Sequence, residues 1–173
     1  MAPKGDVLAR IVTAHPRRAD NVGHSGWRAM VACMSGCSLC GASLTPVLDE
    51  CVHWQVRLNL NQNLLGKLII VLRRHEEQVV ALTADEWNAL HKQVRLMTAR
   101  LRAAFEPDHF NYAFLQNQDR HVHLHIIPRY AKPREVAGVR FEDPDYPDHY
   151  VVPSPERRVS GAVLDELAHL LAP

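Results

Sequence analysis

The chain has 173 residues, enough for one domain with a full core. Hydrophobic residues make up 47% and charged residues 23%, a globular balance, and no apolar stretch approaches the roughly 18 residues a membrane span needs. A formal net charge of +1 gives no case for a nucleic-acid polymer or a membrane surface as partner.

Residues 1–33 carry five basic side chains (Lys4, Arg10, Arg17, Arg18, Arg28) against two acidic ones, Asp6 and Asp20. No apolar run of signal-peptide length follows Lys4, so secretion is not expected. The stretch is basic as transit peptides are, but it lacks their serine enrichment. It reads as a disordered tail, or as a start placed upstream of a true one at Met34. One domain is therefore expected over residues 34–173. Three of the four cysteines, Cys33, Cys37 and Cys40, crowd together. That clustering suggests metal chemistry or thiols in a reducing compartment, hence a cytoplasmic setting.

Residues 52–60 (VHWQVRLNL) partly alternate and are β-prone. Gly66 then precedes the apolar run KLIIVL. Together they predict an antiparallel strand pair joined through Asn61-Gln62-Asn63. Thr83 and Glu86 form a capping box, and the helix behind it sets Trp87, Leu90, Val94, Met97, Leu101 and Phe105 at spacings of three and four. All six are expected to face a sheet, with Pro107 ending the helix. Strands are predicted over residues 110–115 and 121–127, with 116–120 as the turn. Beyond Pro133 a loop is expected, with prolines at 144, 147, 153 and 155. A short last helix turns Val163, Leu164, Leu167 and Leu171 inward. Strands around one central helix predict an α+β fold with an antiparallel sheet.

Residues 121–129 read HVHLHIIPR and carry the most information. Alternation puts His121, His123 and His125 on one face of a strand and Val122, Leu124 and Ile126 on the other. Three imidazoles in a row are costly to desolvate without partners. Two chemistries suit them. A neutral imidazole can attack a phosphate ester or anhydride while its neighbours donate protons to the phosphate oxygens. Alternatively, the row holds a metal.

HVHLHIIPR resembles the signature of the histidine-triad (HIT) superfamily, His-φ-His-φ-His-φ-φ, with φ apolar. The approach is also similar: GKLIIVLRRH leads through ALTADEW into a long helix, and FNYAFLQNQDR runs into the triad. The resemblance covers about residues 34–150. It implies a HIT-like antiparallel sheet of about five strands with one long helix and a short C-terminal one. It implies hydrolysis or transfer at the α-phosphate of a nucleotide, through a nucleotidyl-histidine on the middle histidine, His123. His121 and His125 would flank it, with His125 facing the phosphates. Substrates of the dinucleoside polyphosphate or nucleoside phosphoramidate type follow, with no organic cofactor. The resemblance places Asn59 at the ribose hydroxyls, where an amide can both donate and accept. It draws the phosphate amides from Asn111, Gln116, Asn117 and Gln118, with Asn117 first. Family members that pair through helix and sheet make a homodimer the expected assembly.

Two departures from the pattern stand out. Gly66-Lys67 replaces a Gly-His pair. Residues 116–120 also lack the Gly-Gln-Ser/Thr segment, which leaves the leaving-group acid unassigned. Cys37-Ser38-Leu39-Cys40 is a CxxC, by itself compatible with zinc, redox chemistry or neither. Some HIT members pair such a motif with the histidine ending the R/K-R-H segment and with the first triad histidine. Those positions are His75 and His121, giving a closed, structural Cys2His2 zinc site. Cys33 is a spare ligand and Cys51 an ordinary buried thiol. The competing readings are a metal-dependent hydrolase that uses the histidine row as ligands, and a slow nucleotide-binding sensor.

Overall fold

The computed structural model describes residues 36–41 and 43–173. The expectations for residues 1–33, for a domain start at Met34 and for Cys33 lie outside the described residues. Five strands form one antiparallel sheet: β1 (Val47–Glu50), β2 (Trp54–Leu58), β3 (Leu68–Leu72), β4 (His109–Ala113) and β5 (His123–Arg129). Their spatial order is β1-β2-β3-β5-β4, so the histidine strand lies inside the sheet and β4 is an edge. The long helix α1 (Ala84–Phe105) covers one face. A shorter helix, α2 (Gly161–Leu170), closes the core with Val163 and Leu167, followed by Leu171. The α+β architecture is the expected one.

Register sorts the sheet residues by face. Trp54, Val56 and Leu58 of β2, Leu68, Ile70 and Leu72 of β3, and Leu124 and Ile126 of β5 are buried against α1. This face holds most of the core. Burial of this apolar area is the main drive for folding. The opposite face carries Arg57, Lys67, His123 and His125. Gly66 makes the tight entry to β3 at φ +75. A Cβ there would come within 2.9 Å of Leu101, so the position requires glycine twice over.

The helix stripe differs from expectation. Leu90, Met97, Leu101 and Phe105 are buried and Val94 partly so, but Trp87 is 42% exposed. Glu86 takes the inward place on the first turn instead. Its carboxylate accepts from Arg74 at 2.7 and 3.1 Å and from the Thr83 amide, while its carbonyl accepts from the buried Trp54 indole N–H at 2.8 Å. At 100° per residue Trp87 lies about 80° round the helix from Met97. It meets Phe114 edge-on at the sheet margin. The capping box itself forms on both sides. A hairpin that sequence reading missed, β6 (Arg134–Val136) and β7 (Val139–Phe141), turns through Ala137 and Gly138 inside the expected loop.

The Arg74 guanidinium holds the Glu86 carboxyl at about 2, below its ordinary 4.5, through their hydrogen bond against the opposing cost of burial. A lowered carboxylate pKa stabilises the fold above about 4.5, and that contribution fades as pH falls toward 2. Glu86→Gln should therefore cost about 1–3 kcal/mol near neutrality in urea melts. The gap between variant and wild type should narrow as pH falls from about 4.5 to 2. A gap that does not change with pH would show that the pair does not hold the helix start.

Candidate active site

Three rungs of the sheet organise the polar face. His123 of β5 stands opposite Val71, and Val71 opposite Gln55. His125 stands opposite Ile69, and Ile69 opposite Arg57. One step further, the Asn59 amide donates to the Lys67 carbonyl at 3.0 Å. Residues directly opposite share a face, so Arg57, Lys67, His123 and His125 look into the same space. Asn59 follows by alternation past the end of β2.

His121 does not share the row as expected. Strand β5 begins only at His123, and the fully buried His121 ring turns to the cysteines. Its Nε2–H donates to the Leu72 carbonyl at 2.7 Å, which leaves Nδ1 as a lone pair. The His123 Nδ1–H donates to the His121 carbonyl at 2.7 Å, so Nε2 of His123 is the free acceptor. It lies 3.0 Å from His125 Nε2, which must then carry the proton between them. His125 Nδ1 faces the Asn59 amide nitrogen at 3.5 Å. Burial first, then the electrostatic influence of His123 and the Lys67 ammonium, pushes His125 down to about 3. It is thus a neutral N–H donor at physiological pH. Backbone carbonyls fix two tautomers, and the third follows from them.

The other ring nitrogen of His121 belongs to a separate cluster. Cys37, Cys40, His75 and His121 bring four ligand atoms within 4.8 Å of one another. Cys37 Sγ is 3.4 Å from His121 Nδ1, and Cys40 Sγ is 3.3 Å from His75 Nδ1 and 3.5 Å from His121 Nδ1. A tetrahedral ion at ordinary metal–sulfur and metal–nitrogen distances would set such edges at about 3.5 Å. The residues therefore fit a closed four-coordinate site. Arg57 Nη2 anchors the loop by donating to the carbonyls of Leu39 and Gly41. Among the described residues the three histidines do not form a ligand set of their own.

A cavity of about 740 Å³ opens over the polar face. Arg57, Asn59, Lys67, His123 and His125 line it from the sheet. Gln116, Asn117 and Gln118 line it from the turn before the triad, and Ser38 and Thr45 from the CxxC side. Tyr150 and Ser154 reach it from the segment after β7. Asn59, Gln116 and Asn117 are thus brought together with His123 and His125. Gln116 donates to the Glu77 carbonyl. Asn111 is on the same sheet face but not at the cavity. Its Oδ1 accepts from Arg129, whose guanidinium forms a buried ion pair with Asp143 at 2.6 Å. This pair anchors the segment that carries Tyr150, with Arg129 also donating to the Asp148 carbonyl. Sequence reading passed over Arg57 and Tyr150 as site residues, and treated Lys67 only as a departure from a pattern. Arg57 and Lys67 were still legible as cations on the histidine-facing side of β-prone segments.

The comparisons agree with this geometry. A histidine-triad protein from Sinorhizobium meliloti 1021 superposes with a TM-score of 0.60 at 21% identity, over 73% of this chain and 87% of that one. The chain has the histidine-triad fold. A histidine-triad protein from Marinobacter aquaeolei VT8 gives 0.60 at 21% identity, over 73% and 85%. A HIT family protein from Bacillus anthracis gives 0.52 at 25% identity, over 57% and 76%. No family model and no curated protein sequence matches the chain.

Proposed function

We propose that this histidine-triad chain is a nucleotide hydrolase or nucleotidyl transferase acting at the α-phosphate of a nucleoside polyphosphate or phosphoramidate. One observation carries the reading: the His123 ring is held through Nδ1 by the His121 carbonyl, which turns its Nε2 to the cavity beside His125. His123 Nε2 attacks phosphorus, forming a phosphorus–nitrogen bond as the bond to the leaving oxygen or nitrogen breaks. The His125 Nε2–H, already aimed at the same point, turns to a phosphate oxygen and stabilises the developing charge. Water or another acceptor then takes the nucleotidyl group and frees His123. Asn59 serves the ribose, and Asn117 and Gln116 serve the phosphates from the turn. The test is release of nucleoside monophosphate, without added metal, from adenosine phosphoramidate, diadenosine polyphosphates and nucleotide sugars. Turnover of at least one class is expected. Nucleotide binding without turnover of any would favour a sensor.

The ligand set favours zinc at Cys37, Cys40, His75 and His121. With no open position, the ion would cross-link the CxxC loop to the catalytic strand and supply structure only. His121 would thereby be fixed two residues from the nucleophile.

A homodimer is supported by the exposed edge strand β4 and the apolar side chains beside it. Trp87 and Tyr112 are both more than a third exposed; Tyr112 belongs to β4, and Trp87 meets Phe114 just beyond its end. Sedimentation velocity should give a dimer, and Trp87→Glu should shift it toward monomer. A wild-type monomer at micromolar concentration would refute the pairing.

A further inference from the structure

We propose that Lys67, held by Asn63 and Tyr150, forms a second anion subsite in this cavity, for a phosphate carried on the ribose of the substrate. The inference rests on the nucleotide reading above and on the ribose position of Asn59 within it.

Lys67 is 3% exposed, and its ammonium has neutral partners. It donates to Asn63 Oδ1 at 2.7 Å and to the Tyr150 hydroxyl at 2.9 Å, and it lies 5.4 Å from the centre of the Tyr150 ring. Among the described residues no carboxylate pairs with it. A buried cation without an anion is held at a cost that an arriving anion removes. Burial alone lowers its pKa to about 8, which reports that cost. Hydrogen bonds cross-link the wall around it: Gln62 donates to the Lys67 carbonyl and to the Asn59 carbonyl, and Asn61 ties the segment at Ser154 and Pro155 to the same turn.

Direction separates this cation from the reacting phosphorus. Lys67 stands one rung beyond His125, on the side away from His123. Its ammonium turns further that way, to Asn63 in the β2–β3 connection and to Tyr150. It therefore addresses the nucleoside half of the substrate. Asn59 is its neighbour across the strands. A neutral amide at the ribose with a cation beside it admits a ribose phosphate, where a carboxylate would repel one. Dinucleotide sites use the same chemical distinction to separate a free diol from a ribose phosphate.

The test is calorimetric binding of three products to the full chain: adenosine 5′-monophosphate and its 2′,5′- and 3′,5′-bisphosphate counterparts. One bisphosphate is expected to bind about tenfold to hundredfold tighter than the monophosphate, as a charge-assisted pair would give. Lys67→Met should remove that preference, and Lys67→Arg should keep part of it. Thermal melts of both variants establish that they fold, and a misfolded Lys67→Met is replaced by Tyr150→Phe, for which a reduced preference is expected. Equal wild-type affinities for all three would overturn the subsite. An equal loss for all three in Lys67→Met would also overturn it, placing Lys67 at the 5′-phosphate. Binding of none of the three would overturn the nucleotide reading and the subsite with it, a result distinct from equal binding.

Discussion

In His123→Asn, release of nucleoside monophosphate is expected to fall by at least about a thousandfold while the fold is kept, since removal of a covalent nucleophile leaves only binding and charge stabilisation. Asparagine can still donate toward the His121 carbonyl, so the loop before β5 keeps its anchor. What disappears is the lone pair on Nε2. Rapid acid quench of wild type during turnover should trap nucleotide bound to the chain in amounts up to one per site, and none in the variant. Nucleotide affinity should change little in His123→Asn, because Asn59 and the turn amides remain. Equal turnover in both proteins would remove His123 as nucleophile. The histidine row could not then rescue a metal-hydrolase reading, because His121 faces the cysteines.

Most of the sheet and both helices were legible because their signals are local. Alternation marks the β2 and β5 segments, a short apolar run after Gly66 marks β3, and the Thr83–Glu86 box marks the start of α1 to the residue. Two kinds of feature were not. Trp87 was misplaced because periodicity gives a stripe but not its centre. The centre was set by Glu86, drawn inward by Arg74 and the Trp54 indole from distant positions in the chain. The sequence puts His121 on the strand because alternation continues where the ladder with β3 is only half made: the Leu72 amide still donates to the Val122 carbonyl. The Val122 amide donates to Glu76, and β5 starts one residue later. The site splits along the same line. Asn59, Gln116, Asn117, His123 and His125, which the family resemblance had singled out, line one cavity. Asn111 is on the correct face, yet the buried Arg129–Asp143 pair draws its amide away. Tyr150 arrives from 25 residues beyond His125, across a stretch of prolines, and no local pattern announces such an arrival.

Loss of the cysteine pair should act on stability first and on chemistry only through it. The purified chain is expected to carry about one zinc per molecule by elemental analysis. Cys40→Ser, which breaks contacts to both His75 and His121, should remove the metal and cost at least about 3 kcal/mol, in the range where loss of a metal stands out among point changes. That corresponds to a fall in Tm of about 6–12 °C for a domain of this size. The effect is smaller than in peptides that fold only around zinc, because the α1-facing core persists without the ion. The cost should reach the active site by two routes. The CxxC loop is bound to Arg57 on the polar face, and the His121 carbonyl orients the His123 ring. A chelator should therefore lower activity gradually, in step with loss of ellipticity. Immediate loss of turnover from a chain that remains folded would mean that a metal takes part in the chemistry itself, and the closed structural site would have to be abandoned.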